Sequence, residues 1–332
     1  MASNPIPSTM AGVQIAENGD TSVLQYTTHL PVPEPQPGQI LVKNAFIGVN
    51  YIDTYFRTGL YKAPSFPYIL GREAAGTVAA LGSGETYGLQ PGDQVVFMQE
   101  GTYTEYVTVG ADRAYKLPDG MKPEIACAAM LQALTAWTMI REAYEVKKGD
   151  WVLVTAAAGG VGGWLCQLLK HIGGRTIAVA SDETKREMAR NYGAEVSVGY
   201  EEEELRRVVN EKTNGEGVKA VFDSVGASTF DLTLSLVARK GTMVSFGNSS
   251  GAVPAFQIAR LSAKNIKLLR SSLFPYIQTR EEFQKYMGEV VDFLIHHNMG
   301  CKIHEIYPLK DVARAHADIE SRKTTGKLLL KP

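Results

Sequence analysis

Residues 150–180 restrict this chain more than any other stretch, because they read without a break as strand, glycine turn, helix and second strand. Trp151-Val152-Leu153-Val154-Thr155 is a short apolar run with β-branched members, as a strand buried on both faces should be. Apolar residues then recur at Val161, Trp164, Leu165, Leu168, Leu169 and Ile172, the spacing of one helix face, and Gly173-Gly174 supplies a stop. Arg175 to Ala180 forms the second strand. Between the first strand and the helix lies Ala156-Ala157-Ala158-Gly159-Gly160-Val161-Gly162, a dinucleotide fingerprint in which Ala157 replaces the first glycine. Residues this small let the backbone approach a pyrophosphate, aim N–H groups from the helix N-terminus and pack helix on strand. Ala158, Gly159, Gly160, Val161 and Gly162 are therefore cofactor-binding candidates; a tight turn without a ligand is the alternative. A membrane span is excluded here, since four glycines interrupt the run from Trp151 to Leu169.

A length of 332 residues accommodates two domains at roughly 150 residues each. Hydrophobic content of 45%, charged content of 21% and a net charge of −1 give no electrostatic reason to expect nucleic acid or a membrane surface. Cys127, Cys166 and Cys301 are too few and too scattered for a disulfide framework, and Met1 to Pro5 lacks the basic and apolar regions of a signal peptide. A reducing, cytoplasmic setting is expected.

Up to about Met121 the chain shows short strands and turn signals, the pattern of a small irregular β-barrel: residues 39–49 are β-rich, and Pro91-Gly92-Asp93 is one of several bends. From Pro123 helix formers dominate, with residues 126–144 leading into the fingerprint strand. Beyond it the pattern predicts helices over 183–192, 201–213 and 230–237, and strands over 195–198, 218–225, 243–247 and 266–273. This alternation implies a doubly wound parallel sheet. Residues 279–297 and 309–332 read as helix, helix and a short strand at 327–330.

Gly48-Val49-Asn50-Tyr51-Ile52-Asp53-Thr54-Tyr55, Gly71-Arg72-Glu73-Ala74-Ala75-Gly76, the alanine-rich fingerprint, Asp223-Ser224-Val225-Gly226 and Ser245-Phe246-Gly247-Asn248-Ser249-Ser250-Gly251 together resemble the zinc-free quinone oxidoreductases. These belong to the medium-chain dehydrogenase/reductase superfamily and include zeta-crystallin. The resemblance spans nearly the whole chain. It implies an α/β protein in which a doubly wound Rossmann domain, residues 129–273, is inserted in a GroES-like β-barrel catalytic domain, residues 1–128 and 274–332. It also implies a homodimer. Zinc-dependent relatives carry ligands where Asn50, Arg72 and Leu131 stand here, so no metal is expected. Adjacent His296 and His297 diverge on their helix by about 100° and cannot share an ion.

A carboxylate ending the second strand would take the ribose 2′-hydroxyl of NAD and repel a 2′-phosphate; Ala180 stands there instead. By resemblance Ser181, Lys185 and Tyr200 line a 2′-phosphate pocket, which indicates NADPH. Asp182 reads as the N-cap of the next helix, a ribose ligand being the alternative. The resemblance further places Thr135 against the nicotinamide ribose, the backbone of Phe246 and Leu273 at the carboxamide, and Lys327 at the pyrophosphate. For Lys327 the plain reading is a solvated strand end.

The same resemblance sets Asn50, Tyr51, Asp53, Tyr55 and Tyr61 around the cleft where the nicotinamide is exposed. Quinone reduction needs close positioning, an apolar slot and a hydrogen-bond donor as charge develops on oxygen. Tyr61 and Asn50 are the candidate donors; alternatively these polar groups hold barrel loops together. Arg72 and Glu73 are expected to pair with each other. The implied activity is NADPH-dependent quinone reduction, with reduction of α,β-unsaturated carbonyls as the alternative. A role in binding AU-rich RNA is the alternative of another class, although no basic stripe or RNA-recognition motif supports it.

Overall fold

The computed structural model describes residues 5–300 and 302–332, so Cys301 and the first four residues, used above in the compartment argument, lie outside the described residues. The chain forms two compact units, one comprising the chain up to Leu131 with Thr279–Pro332, the other Gln132–Gln278. The first boundary falls inside the helix Pro123–Thr138.

The Gln132–Gln278 unit is built on a six-stranded sheet in the order Val196–Val198, Arg175–Val179, Trp151–Thr155, Val218–Asp223, Val237–Ser245, Lys267–Arg270. Every pairing is parallel. Numbered along the chain the strands lie 3-2-1-4-5-6, the doubly wound arrangement. Trp151–Thr155 is central and buried along its whole length, which explains its unbroken apolar composition. The helix Gly160–His171 buries Trp164, Leu165, Leu168 and Leu169 on the face that the spacing predicts. Leu273 departs from expectation: the edge strand ends at Arg270, and Leu273–Tyr276 is a helical turn.

In the other unit the long strand Gln39–Val49 is the hub. It pairs antiparallel with Glu73–Leu81 on one side and with both Tyr106–Gly110 and Lys327–Lys331 on the other. The last strand thus enters a sheet made mostly from the first third of the chain, and Ile303–Pro308, which the sequence pattern missed, runs parallel beside it. A second sheet orders Gln25–Pro31, Thr9–Ile15 and Tyr68–Ile69. Val13, Ile40, Val42, Ile47, Phe97 and Leu330 fill the core between strands. Among the described residues no helix is long and apolar enough to cross a membrane.

Candidate active site

Within the Gln132–Gln278 unit the fingerprint turn stands where the strand order reverses, between Trp151–Thr155 and Val218–Asp223, the crevice in which doubly wound sheets bind ligands. Thr155 Oγ1 donates to buried Asp223 Oδ1 at 2.7 Å, tying the two strand ends, and the same carboxylate accepts from Thr229 Oγ1 at 2.8 Å and Gly226 N–H at 3.1 Å. Ala156 adopts a left-handed φ of 48°, which costs a residue bearing Cβ about 1–2 kcal/mol. Tyr200 Oη accepts the Ala156 N–H at 3.0 Å and holds this turn. A Cβ on Gly162 would lie 2.4 Å from Ala156 O, so only glycine lets the helix pack here; on Gly160 it would lie 2.2 Å from the Gln132 amide. Gly159 is the N-cap and makes no side-chain cap bond, leaving first-turn N–H groups for an anion. Ala158 is buried beneath the turn and Val161 half-buried on the helix.

Ser181 and Lys185 come together at the end of Arg175–Val179: Lys185 Nζ donates to Ser181 Oγ at 3.2 Å. Asp182 caps the helix Glu183–Asn191, accepting the Lys185 N–H at 3.0 Å, a bond that with those from Ser181 and the Lys185 side chain holds its carboxyl below the usual range. Thr135 is half-buried, one helical turn beyond Gln132 and therefore on the face that meets Gly160. Phe246 gives its N–H to Asp223 O at 2.8 Å, while Leu273 is buried at the start of its helical turn.

The other unit gathers the remaining candidates on the helix Tyr51–Thr58 and the loop after it. Tyr51 and Tyr55 lie one turn apart with ring centroids 6.1 Å apart, and Tyr61 meets Tyr55 edge-on at 5.2 Å. Phe56 joins Tyr61 at 5.7 Å, and the Arg72 guanidinium covers Phe56 at 4.2 Å. Asp53 is not in this cluster but beneath it, 1% exposed, where Oδ2 accepts the Asn50 N–H at 2.8 Å and the Tyr103 hydroxyl at 3.0 Å. Burial pushes the Asp53 carboxyl up to about 6. Tyr103 Oη also lies 3.0 Å from His316 Nε2, and Arg57 Nη1 lies 3.1 Å from His316 Nδ1. Arginine only donates, so Nδ1 accepts, Nε2 carries the proton and donates to Tyr103, and Tyr103 donates to Asp53. Burial first, and the Arg57 charge second, push the His316 ring down to about 3, which keeps it neutral.

Two expectations are corrected. Arg72 and Glu73 do not pair: neighbours in extended chain point to opposite sides, and Arg72 meets Glu100 and Tyr68 while Glu73 meets Asn50 and Lys327. Lys327, expected at the pyrophosphate or in solvent, has no exposed surface; its Nζ donates to Asn50 Oδ1 at 2.7 Å and to Glu73 Oε1. Arginine has no lone pair to give a metal, and the carbonyl of Asn50 already faces an ammonium, so this donor set does not fit zinc. Among the described residues no group of three or more His, Cys, Asp or Glu could hold a metal ion.

Residues 36–119 match the family described as Alcohol dehydrogenase GroES-like domain, and residues 160–292 that described as Zinc-binding dehydrogenase. A probable quinone oxidoreductase of Schizosaccharomyces pombe is 47% identical over 319 residues, 96% of either chain. Quinone oxidoreductase 1 of Escherichia coli is 40% identical over 325 residues, 96% of this chain and 99% of that one. The crystal structure of E. coli quinone oxidoreductase complexed with NADPH matches with a TM-score of 0.93 at 39% identity, over 97% of this chain and 100% of that one. A 2-haloacrylate reductase of Burkholderia sp is 30% identical over 310 residues, 91% of this chain and 93% of that one.

Proposed function

This chain belongs to the quinone oxidoreductases of the medium-chain dehydrogenase/reductase superfamily, and from that premise we propose that it reduces quinones to hydroquinones with NADPH. The observation that carries the choice of cofactor is the Ser181–Lys185 pair at the end of the second strand, a hydroxyl and a cation next to Ala180, which stands where NAD-binding chains carry a ribose-binding carboxylate, while the nearby Asp182 carboxylate is engaged as a helix cap and by Ser181 and Lys185. The glycine-lined helix start at Gly159–Gly162 suits the pyrophosphate, and Thr135, Phe246 and Leu273 are assigned to the nicotinamide end. When bound, NADPH supplies a hydride.

What the protein adds is position and polarity. Tyr51, Tyr55 and Tyr61 present tilted aromatic faces and edges suited to a flat ring. Asn50 and Tyr61 serve as donors to the acceptor oxygen as it gains charge. Asp53, buried and occupied by Asn50 and Tyr103, holds the helix start rather than touching the acceptor. A quinone is electrophilic and becomes aromatic on reduction, so positioning and one or two hydrogen bonds suffice.

The test is stopped-flow oxidation of NADPH by 1,4-benzoquinone, with NADH in parallel. Fast oxidation of NADPH and slow oxidation of NADH are expected; no oxidation of either would overturn the reading. Reduction of α,β-unsaturated carbonyls is the second reading, favoured by the likeness to a 2-haloacrylate reductase. We further assign a homodimer, supported by the edge strand Lys267–Arg270, which pairs on one side only among the described residues, and a reducing, cytoplasmic setting, supported by the few and scattered cysteines.

A further inference from the structure

Resting on the proposed quinone reduction, we infer that Lys327 is a positioning residue for the reaction: with Glu73 it clamps the Asn50 amide so that one polarised N–H is left for the acceptor oxygen. The geometry admits a single amide orientation. An ammonium only donates, so the Asn50 atom 2.7 Å from Lys327 Nζ is Oδ1; a carboxylate only accepts, so the atom 2.7 Å from Glu73 Oε1 is Nδ2. Flipping the amide would set donor against donor and acceptor against acceptor. Glu73 is itself fixed, because Oε2 accepts the Leu131 N–H at 2.9 Å and Gly48 leaves the room it occupies, a Cβ there standing 2.2 Å from Oε1.

Asn50 stands at the N-cap of the helix Tyr51–Thr58, where Asp53 Oδ2 accepts its N–H at 2.8 Å, and its side-chain amide is held by Lys327 and Glu73. One amide hydrogen goes to Glu73; the second has no partner among the described residues. An ammonium bonded to Oδ1 draws electron density from the amide and strengthens that remaining donor. Stability gives no reason for the arrangement, since Lys327 and Glu73 are both fully buried and interior ion pairs are often matched or bettered by apolar packing. In the reaction the quinone takes two electrons with the hydride, one oxygen becomes a phenolate, and a proton from water completes the hydroquinone. The clamped N–H meets that oxygen as charge develops.

The experiment compares wild type with Glu73→Gln/Lys327→Met, which removes both charges together. Rates are measured over a series of 1,4-benzoquinones of falling electron affinity, with unfolding midpoints as a check on folding. The double variant should lose little with the most electrophilic quinone and roughly tenfold or more with the poorest, with NADPH affinity unchanged. Calorimetry adds a readout free of turnover: wild type should prefer 4-nitrophenolate to nitrobenzene, and the double variant should not. An equal loss across the series, or no loss, together with an unaltered preference for phenolate, would overturn the clamp. If wild type reduced no quinone at all, the premise would fall and phenolate binding alone would decide.

Discussion

Lys185 and Tyr200 look interchangeable as polar partners of a 2′-phosphate, but they do different work. Lys185 offers a charge beside Ser181, whereas the Tyr200 hydroxyl is engaged with Ala156, the left-handed residue of the turn. Lys185→Ala should weaken NADPH roughly tenfold, the scale of one lost bond to a charged group, and leave NADH nearly unchanged. Tyr200→Phe should weaken both cofactors together by relaxing the turn. Titration calorimetry decides, and equal losses for both cofactors in Lys185→Ala would remove the 2′-phosphate assignment. The Asp182 cap was legible in the sequence because caps are local. The partners of Lys327 were not, since they lie 277 and 254 residues away and depend on a register that only the folded sheet sets.

At the scale of elements, the strand, turn and helix from Trp151 to His171 were legible because periodicity, small residues and stop signals coincide. Ile303–Pro308 was not, because its residues alternate between half-buried and exposed with only Tyr307 buried, and no apolar run marks it. The two fingerprint glycines should now part company. Gly162→Ala meets backbone and should cost on the order of 1–3 kcal/mol of stability, seen as a lower denaturant midpoint. Gly160→Ala meets the movable Gln132 side chain and should leave that midpoint close to wild type while lowering NADPH affinity on the order of tenfold. If both variants lost stability alike, the pyrophosphate reading of Gly160 would lack support.

The chain of bonds joining the helices Tyr51–Thr58 and Val312–Glu320 through Asp53, Tyr103 and His316 predicts a pH signature. Asp53 ionises near 3.8 when unfolded but holds its proton to about 6 when folded, so stability falls as pH rises through that window. His316 charges below 6.5 when unfolded but stays neutral to about 3 when folded, so stability falls as pH drops through its window. The slopes oppose each other, each at most about 1.4 kcal/mol per pH unit. Asp53→Asn should therefore lose stability on going from pH 6 to 4, and His316→Gln should gain it, as urea midpoints would show. Parallel profiles would contradict the assigned protonation states.

Taken as a whole molecule, the protein carries the signature of a dehydrogenase family named for zinc on a donor set unsuited to the metal. Exhaustive chelation should leave quinone reduction intact, and oxidation of simple alcohols with NADP⁺ should be negligible, because Asn50, Arg72 and Lys327 offer nothing that acidifies a hydroxyl as zinc does. Activity lost on chelation and restored by zinc would reverse this. The late strand Lys327–Lys331 has a different bearing, on the order of events at the ribosome. Gln39–Val49 is made well before Lys327–Lys331, the strand that completes its edge. At ~10 residues per second, Asn50 waits about half a minute for its ammonium partner, 277 residues downstream. Through that interval the nascent sheet shows an open hydrogen-bonding edge beside a buried-to-be carboxylate, the state in which a chain most needs chaperone cover.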